Sequence, residues 1–208
     1  MNKVVLLGGG GHAKVLIELI MTLGIYKIEG ILDPYLPVAC KIAGIDVLGG
    51  DNLLSELRIK GIEYVCIAVG STKDNTNRKY LYEKAKRIGF NIVSLIHPIS
   101  MISPSVRVYE GVQIMAGVVI QSYSSIGCNA IINTGAIIEH DCKIGEHVHV
   151  CPGAVISGGC TIKECVFIGA GSTIIQGVTI GSNSTVGAGA VVINDIDSNI
   201  HVMGVPAI

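Results

Sequence analysis

Apolar residues recur every six positions through the second half of the chain. From Ile102 the step lands on Val108, Ile114, Ile120, Ile126, Ile132, Ile138, Ile144, Val150, Ile156, Ile162, Ile168, Ile174, Ile180, Val186 and Val192. All sixteen positions are Ile or Val. Four residues beyond each, the chain is mostly small, as at Ser124, Ala130, Ala136, Cys142, Ala154, Cys160, Ser172, Ser184 and Ala190. A step of six carries a residue to the far side of an α-helix, whose period is 3.6, so a helix cannot explain the pattern. Three six-residue sides closing into an eighteen-residue coil do explain it. Each Ile or Val then points inward and stacks on its equivalent one coil away. Successive coils would lie about 4.8 Å apart, giving a triangular prism on the order of 25 Å long. Gly127, Gly145, Gly169, Gly181 and Gly187 follow the aliphatic positions, where tight corners with positive φ are expected.

The first hundred residues alternate differently. Strands are predicted at Lys3–Leu7, Tyr26–Leu32, Glu63–Val69 and Asn91–Leu95. Helices are predicted from His12 to Leu23, from a cap at Asp51 through Arg58, and from Lys73 to Ile88. Strand–helix alternation implies a small parallel sheet with helices on its faces. Residues 96–104 carry two prolines and read as the connection to the prism.

Composition narrows the function. The net charge of −1 leaves no basic footprint for nucleic acid. The apolar runs fall well short of the ~20 residues that cross a bilayer. Met1–Leu7 leads straight into a glycine loop and lacks the form of a signal peptide, so a cytoplasmic location is expected. Seven cysteines, an odd number, suit a reducing compartment, and the prism's cysteines contain no C-x-x-C pair for zinc.

Gly8, Gly10 and Ala13 fit G-x-G-x-x-A, and Asp33 lies twenty residues beyond Ala13. That spacing suits a dinucleotide site and hydride transfer, a sugar-nucleotide site, or a turn that uses glycine for packing alone. Once the prism is accounted for, no second domain remains for a dehydrogenase. Loop N–H groups and a helix N-terminus favour an anion, so the phosphates of a sugar nucleotide are the preferred ligand.

The repeat resembles the left-handed β-helix of the hexapeptide-repeat acyltransferases over residues 102–192. The left hand, an assembly of three chains and acetyl-CoA between neighbouring prisms are what this resemblance implies. The whole chain resembles a narrower group, the bacterial nucleotide-4-amino-sugar N-acetyltransferases and sialic acid O-acetyltransferases. The matching features are Gly10-Gly11-His12-Ala13-Lys14, Ala68-Val69-Gly70, Ile96-His97-Pro98 and the prism. The resemblance implies a Rossmann-like nucleotide-sugar-binding domain over residues 1–97. A β-helix acetyltransferase domain with a C-terminal tail then covers residues 98–208. It also implies that Gly10, Gly11, His12, Asp33 and Gly70 line the substrate pocket. Some relatives carry a second acid where this chain has Pro34, which leaves the nucleobase open.

Acetyl transfer from a thioester needs a base, an oxyanion donor and a cleft that holds the pantetheine beside the acceptor. Histidine is the natural base. His140 lies between the inward positions Ile138 and Cys142, so it sits near a corner and can face outward. The resemblance assigns it as general base, with Asp141 polarising it. One coil above it stands Gly158, which leaves room for a ligand. Relatives contact acetyl-CoA near positions matching Gly158, Ala170 and Ala188, and through the residue matching His149. His149 lies half a coil from His140, so the two can share a ligand only across a chain interface. Asn133 is a candidate for the acceptor sugar. His147 is a weaker candidate. Only Arg107, Lys143 and Lys163 are basic from Met101 on, so backbone N–H groups must hold much of the CoA phosphate charge. Gly204-Val205-Pro206-Ala207 resembles the tail that crosses the prism near CoA.

The expected activity is acetyl-CoA-dependent N-acetylation of the 4-amino group of a nucleotide-linked 4-amino-4,6-dideoxyhexose in bacterial surface glycan synthesis. A homotrimer without a metal is expected. The alternatives are O-acetylation of a sialic-acid-like sugar and a non-catalytic nucleotide-binding or structural β-helix protein. A γ-type carbonic anhydrase needs H-x₄-H, whereas the intervals among His140, His147 and His149 are seven and two.

Overall fold

The computed structural model describes residues 1–71 and 74–208. It divides into two compact units, Met1–Gly70 with Asn77–Leu95, and Ser71–Thr76 with Ile96–Ile208.

The first unit is an α/β sheet. In order it holds β1 (Asn2–Leu7), α1 (Gly11–Leu23), β2 (Tyr26–Leu32), β3 (Lys41–Ile42), β4 (Ile45–Gly49), α2 (Leu54–Ile59), β5 (Tyr64–Ile67), α3 (Thr76–Ile88) and β6 (Asn91–Ile92). The strand order is β3-β4-β2-β1-β5-β6, parallel except for the β3–β4 hairpin. Val4 to Leu7 are all fully buried, as a strand covered on both faces requires. Val5 and Leu7 pack with Leu54 of α2 and with Leu81 and Ala85 of α3. Helix α1 buries Ala13, Leu16, Ile17, Leu19 and Ile20 and ends at Gly24, whose left-handed φ of 64° lets its N–H reach the Ile20 carbonyl.

Three local expectations are corrected here. Asp51 is the first residue of a 3₁₀ turn, Asp51–Leu53, whose cap position is taken by Gly50. The predicted strand Asn91–Leu95 splits: Asn91–Ile92 extends the α/β sheet, while Leu95–Ile96 joins a sheet of the prism. The hairpin was not foreseen. Its turn residues, Ala43 and Gly44, both have positive φ, the geometry of a type I′ turn usually marked by Asn-Gly. Lys73, the predicted start of the third helix, lies outside the described residues.

The second unit is the triangular prism. Its first face stacks Leu95–Ile96, Gln113–Ile114, Ile131–Ile132, His149–Val150, Phe167–Ile168, Thr185–Val186 and His201–Val202. The second face runs from Met101–Ile102 to Val191–Val192, and the third from Arg107–Val108 to Thr179–Ile180. Partners on each face are offset by eighteen residues, as in Ile114↔Ile132↔Val150↔Ile168. The inward Ile and Val from Ile114 to Val192 are at most 3% exposed. Segment 96–104, read as a connection, already contains a strand of the second face, because Ile96 and Ile102 keep the six-residue step. Buried hydroxyls within the core are satisfied. Ser124 Oγ donates to the Glu139 carbonyl at 2.8 Å and accepts the Cys142 N–H at 3.0 Å. Past Val192 the coil shortens, with Val186 pairing Val202, and Ala207 N–H returns to the Val191 carbonyl at 2.8 Å.

The glycines that follow the aliphatic residues serve a different purpose from the one expected. Gly127, Gly145, Gly169, Gly181 and Gly187 do not have positive φ. They are needed for close approach: a methyl added at Gly145 would lie 2.7 Å from the Lys163 carbonyl carbon. The left-handed corner residue falls three positions after the inward aliphatic, at Gly117, Gly135, Asp141, His147 and Gly153 among others.

Candidate functional site

In the first unit β1, β2 and β5 are neighbours and end together at Leu7, Leu32 and Ile67. The chain leaves β1 for β2 on one side, and β5 returns on the other. That reversal places a crevice at the carboxyl ends of the strands. The three following loops carry the residues singled out above. Gly8 has φ +105°, and a methyl there would lie 2.6 Å from Val69 Cγ2. Gly9 N–H donates to Asp33 Oδ2 at 2.9 Å, and Tyr35 N–H donates to Asp33 Oδ1 at 2.9 Å. Asp33 thus ties the glycine loop to the end of β2. Gly10 precedes α1, which has neither a side-chain cap nor an acid in its first turn, so its N-terminus is open to an anion. Nothing lies within 4 Å of a methyl built on Gly10 or Gly11. A methyl on Gly70 would lie 3.4 Å from His12 Cβ, so the ends of β1 and β5 meet at that pair.

Sequence reasoning passed over two residues here. Asp51, read as a cap, lies near Asp33 and 3.8 Å from Lys84 Nζ. Burial raises its carboxyl above the ordinary value, Lys84 opposes the shift and Asp33 adds to it. Arg78, one charge among many in the predicted third helix, is 1% exposed. Nothing in a single sequence separates it from the solvated charges around it.

In the prism, His140 and Asp141 occupy the corner between the second and third faces. Asp141 has φ +59°, and the left-handed turn brings its carboxylate back to the preceding ring. His140 Nδ1 lies 2.8 Å from Asp141 Oδ2, with the side chains 54% and 62% exposed. With Nδ1–H donating to the carboxylate, Nε2 holds a lone pair that can accept a proton. A methyl built on Gly158 would lie 2.6 Å from His140 Nε2. The space expected to await a ligand above Gly158 is therefore filled by the imidazole itself.

His149 lies on the first face, opposite that corner. It is 5% exposed, meets Phe167 edge-on at 5.3 Å, and has Nε2 3.3 Å from Asn133 Nδ2. Ala170 and Ala188 are exposed and stack one coil apart at the corner between the first and second faces, above the turn that follows Asn133. One prism thus assembles two groups: His140, Asp141 and Gly158 at one corner, and Asn133, His149, Ala170 and Ala188 around the opposite face. His147 is 3% exposed with Nδ1 2.9 Å from Asn129 Nδ2, a packed corner residue. Burial pushes the Cys66 and Cys151 thiols up to about 12, consistent with packing and not with reactivity. Among the described residues no three His, Cys, Asp or Glu side chains converge as a metal site.

Comparison with known proteins follows the same division. The PglD N-terminal domain model matches residues 3–85, and the bacterial transferase hexapeptide model (six repeats) matches residues 123–158 and 159–194. The chain is similar to perosamine N-acetyltransferase from Caulobacter crescentus, seen in complex with CoA and GDP-perosamine with one histidine replaced by asparagine. Identity is 42%, the TM-score is 0.93, and the match covers 100% of this chain and 96% of that one. It is also similar to the acetyltransferase domain of PglB from Neisseria gonorrhoeae FA1090, in complex with acetyl coenzyme A. That match has 37% identity and a TM-score of 0.92, covering 100% and 99% of the two chains. WeeI from Acinetobacter baumannii AYE, at 24% identity, 100% and 99% coverage and a TM-score of 0.87, shares the fold. Full-length identity at this level, with the glycine-loop unit and the prism both matched, shows that the chain belongs to the hexapeptide-repeat family of left-handed β-helix sugar acetyltransferases.

Proposed function

We propose that the protein transfers the acetyl group of acetyl-CoA to the 4-amino group of a nucleotide-linked 4-amino-4,6-dideoxyhexose, in bacterial surface glycan synthesis. The observation that carries this reading is the outward-facing His140 held at Nδ1 by Asp141. Nε2 takes the proton from the amine as its nitrogen attacks the thioester carbonyl. The tetrahedral intermediate then collapses, the C–S bond breaks, and the CoA thiolate leaves and is protonated. Asp141 keeps the tautomer fixed and stabilises the imidazolium while it exists. The relative solved with CoA and GDP-perosamine supports the substrate pair.

The open N-terminus of α1, with Gly10, Gly11, His12 and Gly70, receives the diphosphate and sugar. Asp33 acts there through the loop it ties down. Acetyl-CoA lies along the prism near Ala170, Ala188 and His149, with Gly158 supporting the base. Because His140 and His149 lie at opposite parts of one prism, a ligand shared by them needs more than one chain, and the homotrimer that the resemblance implies is the assembly proposed. In it the corner of one chain faces the His149-bearing side of the next. The enzyme works in the cytoplasm, where acetyl-CoA is available.

A thiol-release assay with acetyl-CoA tests the reading. The acceptors are GDP-, UDP- and dTDP-linked 4-amino-4,6-dideoxyhexoses and free sialic acids. Release with one of the nucleotide amino sugars, GDP-perosamine first among them, is expected. Release with sialic acid alone would replace N-acetylation by O-acetylation.

A further inference from the structure

We propose that Arg78 is the positioning residue that fixes the wall of the nucleotide site. The proposal rests on the reading of the glycine loop as that site. Arg78 sits in the first turn of α3 and is among the largest fully buried side chains. Its Nη1 donates one N–H to the Ile67 carbonyl at 2.8 Å and the other to the Val69 carbonyl at 2.9 Å. Ile67 is the last residue of β5, so one guanidinium nitrogen spans the point where β5 leaves the sheet. The strand predicted to reach Val69 ends at Ile67, and Arg78 takes up the carbonyls on either side of Ala68. Val69 then packs against Gly8, so closely that a methyl on Gly8 would lie 3.1 Å from the Val69 nitrogen. Gly70, the next residue, lies against His12. The path from Arg78 to the glycine loop is therefore two hydrogen bonds and two close contacts, all within one unit.

Arginine suits this task. Carbonyls at a strand end lose their ladder partners, and a planar donor can serve two of them at a fixed angle. Lysine offers a compact point charge without that fixed geometry. Burying a cation is costly, and burial pushes this guanidinium down to about 9. It still carries its charge at neutral pH, beneath the strand ends where a diphosphate would bind. A purely apolar residue could fill the volume, but it could not hold the two carbonyls.

The test uses the full chain with Arg78→Met and Arg78→Lys, measured with acetyl-CoA and GDP-perosamine. The expected result is a KM for the nucleotide sugar raised roughly 10- to 100-fold in Arg78→Met, with partial rescue in Arg78→Lys. The KM for acetyl-CoA should stay within about twofold, since uniform binding is lost only at the nucleotide. A lowered melting temperature with both KM values unchanged would overturn the inference. If Arg78→Met does not fold, a wild-type nucleotide-sugar KM in Arg78→Lys overturns it equally. Gly10→Val, placed where the loop is open, separates the two possible failures. If that variant also leaves the nucleotide-sugar KM unchanged, the site reading falls and the inference with it. If only the Arg78 variants leave it unchanged, the inference alone falls.

Discussion

The two units reach a buried core by opposite routes. The prism repeats one decision: an Ile or Val inward at each sixth residue, and a small residue four further on. The α/β unit has no repeat, and single residues carry both structure and site. Gly8 lets Val69 approach, Asp33 ties down the glycine loop, and Arg78 holds the end of β5. Redundancy makes the prism easy to read and lets its corners diverge. The proposed base and its partner sit at such a departure, with Asp141 at a corner position where Gly or Asn is common.

The contrast can be broken at the level of stability. Ile156→Ala removes one inward side chain that is fully buried between Ile138 and Ile174. It should cost about 2–5 kcal/mol in a denaturant melt, because stacked coils cannot close over the cavity. A cost below about 1 kcal/mol would mean that the redundancy extends to energetics.

A smaller change sharpens the functional side. Gly158→Ala places a methyl where the His140 ring lies. Only a side chain must move, so the melting temperature should hold, while kcat falls roughly 10- to 100-fold through misplacement of the base. Equal losses of stability and activity would show that Gly158 serves the coil and not the imidazole.

Legibility followed the same line. The prism could be read almost residue by residue because a period of six has no helical or simple strand explanation. The role of its glycines could not, because close approach and positive φ both select glycine. In the α/β unit β2 was read to its exact ends. The β3–β4 hairpin was missed because Ala43 occupies a turn position where Asn is the usual signal. His140 and Asp141 were legible as an outward pair between two inward residues. Arg78 and Asp51 were not, since their burial depends on partners outside their own local segment, Ile67 and Val69 for one and Lys84 for the other.

The smallest expected effect concerns Asp51. At neutral pH, Asp51→Asn should change stability by less than about 1 kcal/mol, since burial of the charge opposes its attraction to Lys84. The folded acid is raised above its unfolded value, so the fold prefers the protonated form. Its favourable contribution is complete below the unfolded pKa and is lost as the pH rises through the folded one. The wild type should therefore gain on the variant as melts move from about pH 6 to about pH 4. A gain in the other direction would show that the Lys84 pair dominates.

The imidazole at the prism corner is the centre of the account, and His140→Ala addresses it directly. Turnover of acetyl-CoA with a nucleotide 4-amino sugar should drop about 10²- to 10⁴-fold, with the KM for acetyl-CoA and the melting temperature close to wild type. Turnover at the wild-type rate would contradict the assignment of His140 as the base.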